Sequence, residues 1–322
     1  MRPTSRQTRP ASSLLAAAAA LLAGAVAAAP AQAQTVAIGT TQGGATNQLA
    51  IAIANAVSED GAVQMRPQIM ANTSQYIPLV NAGQIEFGVA NYPQTWYAIA
   101  GTGMSTEPNP NLAMVANLFP FKAGIVTPES AGIKTFADVK GKGVPRFPDN
   151  SLGEFVIRMA LAAGGLTYAD VTEVPVSNFP RMYEALKAGQ TVISISAVGS
   201  RPAYDLEASL GDIQFLSMTE ENLPMMKELM PGIFLFPLEA SEEIPGLDEP
   251  ATIFAYNYLM WANKDVPDET VAAVVKSIHA HATDLKESSP MWNEFDPSKL
   301  CSDVELEFHP GALAACKELG IN

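Results

Sequence analysis

The sequence of 322 residues predicts an α/β protein with two lobes and parallel-rich sheets. Strand and helix patterns alternate in the first and middle thirds of the chain, and a short pattern is repeated between them. The final third is apolar and needs a large partner surface. Strands that alternate with helices usually form parallel sheets, because each helix carries the chain back across one face of the sheet.

The first α/β unit begins just after residue 33. Thr35–Gly39 is a short apolar run that predicts a strand, and apolar residues at helical spacing over 49–57 predict the helix that follows it. Further strands are predicted over Gln64–Met70 and Ile85–Ala90, with a helix between them that Ser74 caps.

A second α/β unit follows an apolar stretch that Pro120 interrupts. Its predicted strands are Gly143–Phe147, Val171–Val176 and Thr191–Ala197. An apolar stripe over 152–159 predicts the first helix of this unit, and the second helix is predicted between the last two strands, over Pro180–Ala188.

The two units share a short internal similarity. Tyr76–Ala90 and Met182–Ser196 each read as a helix that ends in Ala-Gly-Gln and is followed by a strand. Glycine suits the left-handed position just past a helix end. The similarity favours two lobes of related architecture.

The final third predicts an aromatic strand over Ile253–Trp261 and a helix with an apolar face over 271–285. The simplest arrangement returns this segment to the first lobe, which makes the connections near residues 123 and 258 a hinge. The predicted division is residues 34–122 plus 259–322 for lobe one and residues 123–258 for lobe two.

The first 33 residues have the order of a secretory leader. Arg2, Arg6 and Arg9 precede the apolar run Leu14–Ala29, and Ala31-Gln32-Ala33 then offers small residues to a signal peptidase. We expect cleavage after Ala33 and a periplasmic protein. The alternative is a membrane anchor, for which the run is short and rich in alanine.

The acidic composition restricts the partners. The formal charge is −14, and loss of the leader removes three arginines and no acid, which makes it −17. Such a surface argues against nucleic acid and anionic membranes as partners. It leaves room for an anionic ligand, because a cleft can carry positive potential inside a negative protein.

Cys301 and Cys316 are the only cysteines. Because an exported chain meets an oxidising compartment, a disulfide between them is expected. The alternative is two separate buried thiols.

Catalytic chemistry is hard to find in the sequence. His279 and His281 are two residues apart on a predicted helix and face different directions, and His309 is distant. No nucleophile elbow, phosphate loop or dinucleotide fingerprint occurs. We therefore expect no enzyme, no cofactor and no metal, with a periplasmic enzyme on this scaffold as the alternative.

Small polar residues cluster where predicted strands lead into helices. Helix starts expose free N–H groups and a positive dipole end, glycine permits close approach, and ligands usually bind at the carboxyl ends of parallel strands. Plain helix capping is the alternative. The candidate ligand residues in these loops are Thr40, Thr41, Gly43, Gly44, Ser74, Asn91, Asn150, Ser151 and Gly153, and Trp96 is a candidate pocket wall that could equally serve the hinge or core.

Two arginines are candidates for a carboxylate clamp. Arg146 and Arg201 each follow a predicted strand, and a guanidinium can bind both oxygens of a carboxylate. A surface salt bridge is the alternative for each. Arg158 and Arg181 lie within predicted helices, where solvation is expected.

Several segments in order resemble the TAXI-type solute receptors of TRAP transporters, which are tripartite ATP-independent periplasmic systems. Ile38–Gly44 is similar to the family start "IGTGGTGG", and Asn81–Ala90 is similar to "ASGEADLGIVQ". Thr135–Lys142 resembles "SVADLKGK", Ala163–Thr167 resembles "AAGLT", and His309–Ala312 matches "HPGA". The resemblance covers nearly the whole chain after the leader.

The resemblance implies a type II-like periplasmic binding protein, a monomer that closes on a small organic anion and delivers it to TRAP membrane subunits. Glutamate-like, dicarboxylate or 2-oxo acid solutes are implied. The chain departs from the family at Phe147–Gly153, where Asp149 and fewer glycines replace "GPPGSGT". A binding protein for an ATP-driven transporter or a sensor kinase is the alternative.

Overall fold

The structure, a computed structural model, describes residues 34–321 together with Met1. Most of the predicted leader, residues 2–33, lies outside the described residues. The strands are β1 (Gln34–Thr41), β2 (Val63–Met70), β3 (Phe87–Asn91), β4 (Leu112–Pro128), β5 (Gly143–Arg146), β6 (Thr172–Pro175), β7 (Ser194–Ala197), β8 (Ile213–Leu216), β9 (Phe234–Leu238) and β10 (Ala251–Asn263). The α-helices are α1 (Gly44–Glu59), α2 (Thr73–Asn81), α3 (Tyr92–Ala100), α4 (Leu152–Ala163), α5 (Phe179–Lys187), α6 (Arg201–Leu210), α7 (Leu223–Leu229), α8 (Asp268–Ala280), α9 (Ala282–Ser288) and α10 (Pro310–Leu319).

The predicted strands of both α/β units are present, and all of them except β7 have a parallel partner. β1 lies between β2 and β3, and β5 pairs with β6. The pairings of β4 and β10 are antiparallel, which the sequence did not indicate. The main sheet runs β2-β1-β3-β10-β4-β7, with β8 beside β4 and β9 beside β10.

The two long strands β4 and β10 belong to both halves of the molecule. They pair with each other from Leu112↔Asn263 to Ala123↔Phe254. At one end β10 also pairs with β3, and at the other end it pairs with β9 while β4 pairs with β7 and β8. Residues 123 and 258 lie inside these strands, so the hinge predicted there consists of paired strands. The lobe boundaries themselves stay a prediction.

Pro120 does not break the strand, contrary to expectation. It lies opposite Asn257, and the pairing register shifts nearby so that Tyr258 faces Phe119 while the next residue of β10 faces Asn117. A bulge of this kind accommodates a residue that cannot donate to the ladder. β4 therefore continues through the interruption.

The first unit agrees with the predicted periodicity, with two differences. The apolar face of α1 is buried, including Leu49 and Ile53. The N-cap of α2 is Asn72 rather than Ser74, whose hydroxyl lies in the first turn and donates to Asn72 Oδ1 at 2.6 Å. Helix α3 was not predicted, because its apolar residues do not form one clear stripe.

The internal similarity corresponds to equivalent structure. α2 and α5 both end before an Ala-Gly pair whose glycine has a positive φ, 69° at Gly83 and 68° at Gly189. The following amides of Gln84 and Gln190 donate to carbonyls in the last helical turn, each at 2.9 Å. β3 then pairs with β10, and β7 pairs with β4, so the two segments occupy corresponding places beside the long strands.

The helix predicted over 271–285 is two helices. α8 ends at Ala280 and α9 begins at Ala282, with His281 between them at φ −92° and ψ 25°. The apolar face of α8, including Val271 and Ile278, is buried. α8 packs against α1 and α10, which covers the first unit as the sequence suggested. None of the described helices is both long and apolar enough to cross a bilayer.

Cys301 and Cys316 form a disulfide, as expected. It closes a loop with a sequence separation of 15 residues and attaches the segment before α10 to that helix. In the chain-entropy description, a loop of this length stabilises the fold by about 3 kcal/mol.

We predict that the double variant Cys301→Ala/Cys316→Ala loses about 3 kcal/mol of unfolding free energy in a urea titration. The parent protein in the presence of reductant is the control and should lose a similar amount. An unchanged midpoint in both samples would show that the crosslink does not restrict the unfolded chain.

His281 joins the end of α1 to the α8–α9 junction. Its Nε2 lies 3.0 Å from Asp60 Oδ1, and its Nδ1 lies 2.8 Å from Asp284 Oδ2 and 3.7 Å from Glu59 Oε2. Ser277 Oγ donates to the other oxygen of Asp60. The hydrogen bonds to Asp284 and then Asp60 raise the pKa of His281 above its ordinary value of 6.5.

We predict a pH-dependent contribution from His281 to stability. Because the folded-state pKa is raised, the stabilisation is complete below about pH 6.5 and is lost as pH rises through the folded-state pKa. Urea titrations across this range should show His281→Asn flattening that part of the profile. His279→Asn, in the last turn of α8, is the control, and an equal effect from it would contradict the assignment.

Candidate functional site

The loops after β1, β2 and β3 meet at one edge of the sheet, because these strands are parallel. The Gln42 amide donates to the Met70 carbonyl at 2.7 Å, which joins the first loop to the end of β2. Gln94 Nε2 donates to Thr73 Oγ1 at 2.6 Å, which joins the start of α2 to α3. The structure thus brings together three loops that lie far apart along the chain.

The loop before α1 is shaped by its own threonines and ends in two exposed glycines. Thr40 is buried, and its hydroxyl donates to the Thr46 carbonyl at 3.0 Å, while the Thr41 hydroxyl donates to the Gly43 carbonyl. Gly43 and Gly44 both have φ 78°, a conformation that side chains disfavour, and a Cβ on either would meet nothing within 4 Å. The threonines therefore shape the loop, and the glycines present exposed backbone.

The helix starts divide into capped and uncapped groups. The side chains of Asn91, Ser151 and Asn178 accept from the first turns of α3, α4 and α5. Among the described residues, no side chain caps α1, α2 or α6, and their first turns contain no acidic residue. The starts of α1 and α2 offer N–H donors and a positive dipole end, which suit an anion. At the start of α6, Pro202 has no N–H and the Ala203 amide donates to the Ser200 carbonyl at 2.9 Å, so α6 contributes its dipole end and the Arg201 side chain.

Arg201 is the first residue of α6 and has the properties of a free cation. It is exposed, and no carboxylate of the described chain lies within 4.0 Å of it. The Val198 amide donates to the Lys122 carbonyl at 3.1 Å, and Ala197 pairs with Ala123. The loop that leads to Arg201 therefore starts beside the middle of β4.

Arg146, by contrast, is already surrounded by acids. Its guanidinium lies 2.6 Å from Asp149, 3.0 Å from Glu173 and 3.6 Å from Glu154, and it lies over the ring of Tyr168 at 4.5 Å. These contacts match the salt-bridge alternative. An anion would have to compete with three carboxylates for this side chain.

The other candidates of the first unit have mixed surroundings. Asn91 is fully buried and bonds to the backbone and side chain of Gln94, so its polar atoms serve the start of α3. Ser74 is exposed at the start of α2. Trp96 is 37% exposed and packs edge-on to Tyr97 at 5.3 Å.

The candidates after β5 mainly shape their own loop. The Ser151 hydroxyl caps α4 and also donates to the Pro148 carbonyl at 2.7 Å. Gly153 is buried against Phe147, whose ring would lie 2.6 Å from an added Cβ. Asn150 is exposed, with a positive φ of 60°. Of these three, Asn150 presents the most accessible side chain.

The paired long strands carry an aromatic row that was not among the predicted site residues. Phe121 lies opposite Tyr256 with ring centroids 5.8 Å apart, and Tyr258 lies edge-on to Phe121 at 5.2 Å. The Tyr258 hydroxyl is 3.0 Å from Thr46 Oγ1 in the first turn of α1. Aromatic residues at every second position, 254, 256 and 258, were the available signal for this shared face.

Burial raises the pKa of Tyr258 to about 12, although the hydrogen bond with Thr46 opposes the shift. The hydroxyl therefore stays neutral at physiological pH. It connects the start of α1 to β10 without adding a charge near the free amides.

Two cavities of about 760 and 700 Å³ lie near Arg146. The larger is lined by residues such as Pro175 and Arg181, and the smaller by Tyr97, Asn150, Glu154 and Arg158. Among the described residues, neither cavity is lined by the start of α1 or the start of α6. The cavities and the free helix starts thus mark different places.

One group of side chains has donors suited to a metal. The ligand atoms of Glu59, His281 and Asp284 lie within 4.8 Å of one another, although the residues are distant in sequence. The two ring nitrogens of His281 already face carboxylates as ion pairs. Ion pairing therefore accounts for this arrangement.

Solved structures resemble this chain in fold. MatC from Rhodopseudomonas palustris, with bound malate, has a TM-score of 0.55 and 14% identity, covering 82% of this chain and 89% of that one. PhnD1 from Prochlorococcus marinus, in complex with methylphosphonate, has a TM-score of 0.54 and 10% identity, covering 89% and 98%. The periplasmic sulfonate-binding protein SsuA from Methylobacillus flagellatus has a TM-score of 0.51 and 16% identity, covering 90% and 96%.

These similarities agree with the two-lobed α/β architecture of a periplasmic binding protein, as the sequence predicted. The structural similarities show the fold alone, whereas the sequence identifies the family. Residues 38–320 match the NMT1-like family, and the chain therefore belongs to the NMT1-like family.

Proposed function

We propose that this chain is a periplasmic solute-binding receptor that holds a small organic anion between its lobes and delivers it to a membrane transporter. The main support for this proposal is the set of helix starts that lack a side-chain cap. These are α1 and α2 in one half, and α6 with the unpaired Arg201 in the other. Free backbone donors and a guanidinium supply both parts of a carboxylate site.

The proposal is supported by what the fold relatives bind. MatC holds malate and PhnD1 holds methylphosphonate, and both are small anions. In this chain a glutamate-like compound, a dicarboxylate or a 2-oxo acid would suit the same donors. The oxidised Cys301–Cys316 pair and the predicted leader favour a periplasmic location.

Lobe closure gives the mechanism of capture. The predicted lobes, residues 34–122 with 259–322 and residues 123–258, each contribute only part of the donor set. An anion that contacts both is bound best in the closed arrangement, so it shifts the population toward closure. The paired strands β4 and β10 would bend during this motion.

The membrane partner has two candidates. The sequence resemblance favours a TRAP transporter with this chain as a TAXI-type receptor. The SsuA relative from Methylobacillus flagellatus is instead described as belonging to a sulfonate ABC transporter. We favour the TRAP partner on the segment resemblance, and the ligand site proposed here is the same for either.

We predict stabilisation by a ligand without its chemical conversion. A ligand present at 100 times its Kd should raise the unfolding free energy by about 2.7 kcal/mol. A thermal-shift panel of amino acids, dicarboxylates and 2-oxo acids would identify it, with neutral analogues as controls. Conversion of a stabilising compound during incubation would instead support an enzyme.

We predict that Arg201→Ala weakens binding of the most stabilising anion by roughly tenfold to a hundredfold. A charge-assisted hydrogen bond contributes about 1.5–3 kcal/mol, and about 1.4 kcal/mol corresponds to a tenfold change in Kd. Isothermal titration gives the measurement. Arg66→Ala is the matched control, because Arg66 is also exposed and has no ion pair among the described residues.

Arg146→Ala distinguishes the two arginine candidates in the same titration. Its three carboxylate partners lead us to expect a smaller loss of affinity than for Arg201→Ala. If Arg146→Ala abolishes binding while Arg201→Ala binds like the parent, the anion site lies beside Arg146 instead.

A further inference from the structure

Side chains of helix α3 bridge the two predicted lobes. Tyr97 belongs to the first, and its hydroxyl donates to the Leu229 carbonyl at 3.0 Å, at the end of α7 in the second. Its ring also contacts Phe155 of α4, with centroids 5.4 Å apart. Both Tyr97 and Phe155 are buried, so the contact excludes water.

A second contact involves Tyr92, the first residue of α3. The turn after α7 includes Gly232, which has φ 74° and packs against the ring of Tyr92. A Cβ at Gly232 would lie 2.1 Å from Tyr92 Cδ1, far closer than atoms can approach. The turn can therefore approach α3 only because residue 232 is glycine.

Tyr97 is also restrained from its own lobe. Gly103, with φ 58°, packs against its ring so closely that an added Cβ would lie 2.3 Å from Cε1. The ring thus lies between Gly103 and Phe155. These two contacts restrain the ring whose hydroxyl donates to Leu229.

We propose that α3 is an interlobe latch, in which Tyr97 and Tyr92 hold the closed arrangement through contacts to Leu229, Phe155 and Gly232. Neither tyrosine is among the proposed anion donors, so the latch would favour closure through contacts between the lobes rather than through the ligand. Tyr97 is a positioning residue in this proposal.

The latch has a direct consequence for affinity. When only the closed form binds the ligand tightly, the apparent Kd equals the intrinsic Kd divided by the closed fraction. Contacts that favour closure before the ligand arrives therefore strengthen binding without touching the ligand. The proposal rests on the two-lobed receptor of the previous section, but it concerns the ligand-free chain.

The experiment measures the distance between the lobes without ligand, by pulsed electron spin resonance. Spin labels are attached to Thr106→Cys and Lys187→Cys, two exposed positions in different predicted lobes. The native cysteines are joined in the disulfide, which leaves the introduced thiols free for labelling. Tyr97→Phe should increase the ratio of open to closed chains about fivefold, because it removes one hydrogen bond of about 1 kcal/mol.

Tyr204→Phe is a matched control. The Tyr204 hydroxyl also donates to a backbone carbonyl, that of Glu243 at 2.9 Å, but both residues lie in the second predicted lobe. This variant should keep the parent distance distribution. Gly232→Ala should open the chain further than Tyr97→Phe, and its unfolding midpoint is measured alongside to confirm that it is folded.

The latch is overturned if Tyr97→Phe keeps the parent distribution, or if Tyr204→Phe shifts it equally. The distances are measured without ligand, so their outcome is separate from that of the anion panel. A shifted distribution in a chain that binds none of the panel would support the latch and refute the proposed ligand class.

Discussion

The antiparallel pairing of β4 with β10 is the constraint on which the rest of this structure depends. Each strand begins in the sheet of one half and ends in the sheet of the other, so both halves share one ladder of backbone hydrogen bonds. The two connections cross side by side and support each other. The parallel strands and their helices are then arranged around this central pair.

This arrangement aligns the helix starts with the shared strands. β3 lies against β10 and β7 lies against β4, and each is the last strand of an α/β unit with the same helix-ending hydrogen bonds. The corresponding loops therefore approach the paired strands from both halves. Tyr258 and Thr46 make one such connection, since the tyrosine is on β10 and the threonine is in α1.

Electrostatics at these loops differs from that of the whole protein. The chain has a strong negative charge, yet α1, α2 and α6 have no acidic residue in their first turns and no cap from any side chain between residues 34 and 321. Around Arg146 the opposite holds, because Glu154 is buried between two arginines. Burial raises the pKa of the Glu154 carboxyl, while Arg158 and Arg146 act to lower it. Around Arg146 the charged side chains pair with one another. At the starts of α1, α2 and α6, the positive groups face no acidic residue of the first helical turn.

The amino-acid sequence by itself determined most of the helices and strands, the disulfide pair and the resemblance to solute receptors. Apolar spacing and glycine positions act over a few residues, and they placed α1, α4 and β1 without knowledge of the fold. Only the tertiary structure decided that β4 continues through Pro120, that Arg146 meets Glu173, and that Tyr97 reaches Leu229. Local patterns are fixed by neighbours along the chain, whereas these contacts join segments whose separation in space depends on how the whole sheet assembles.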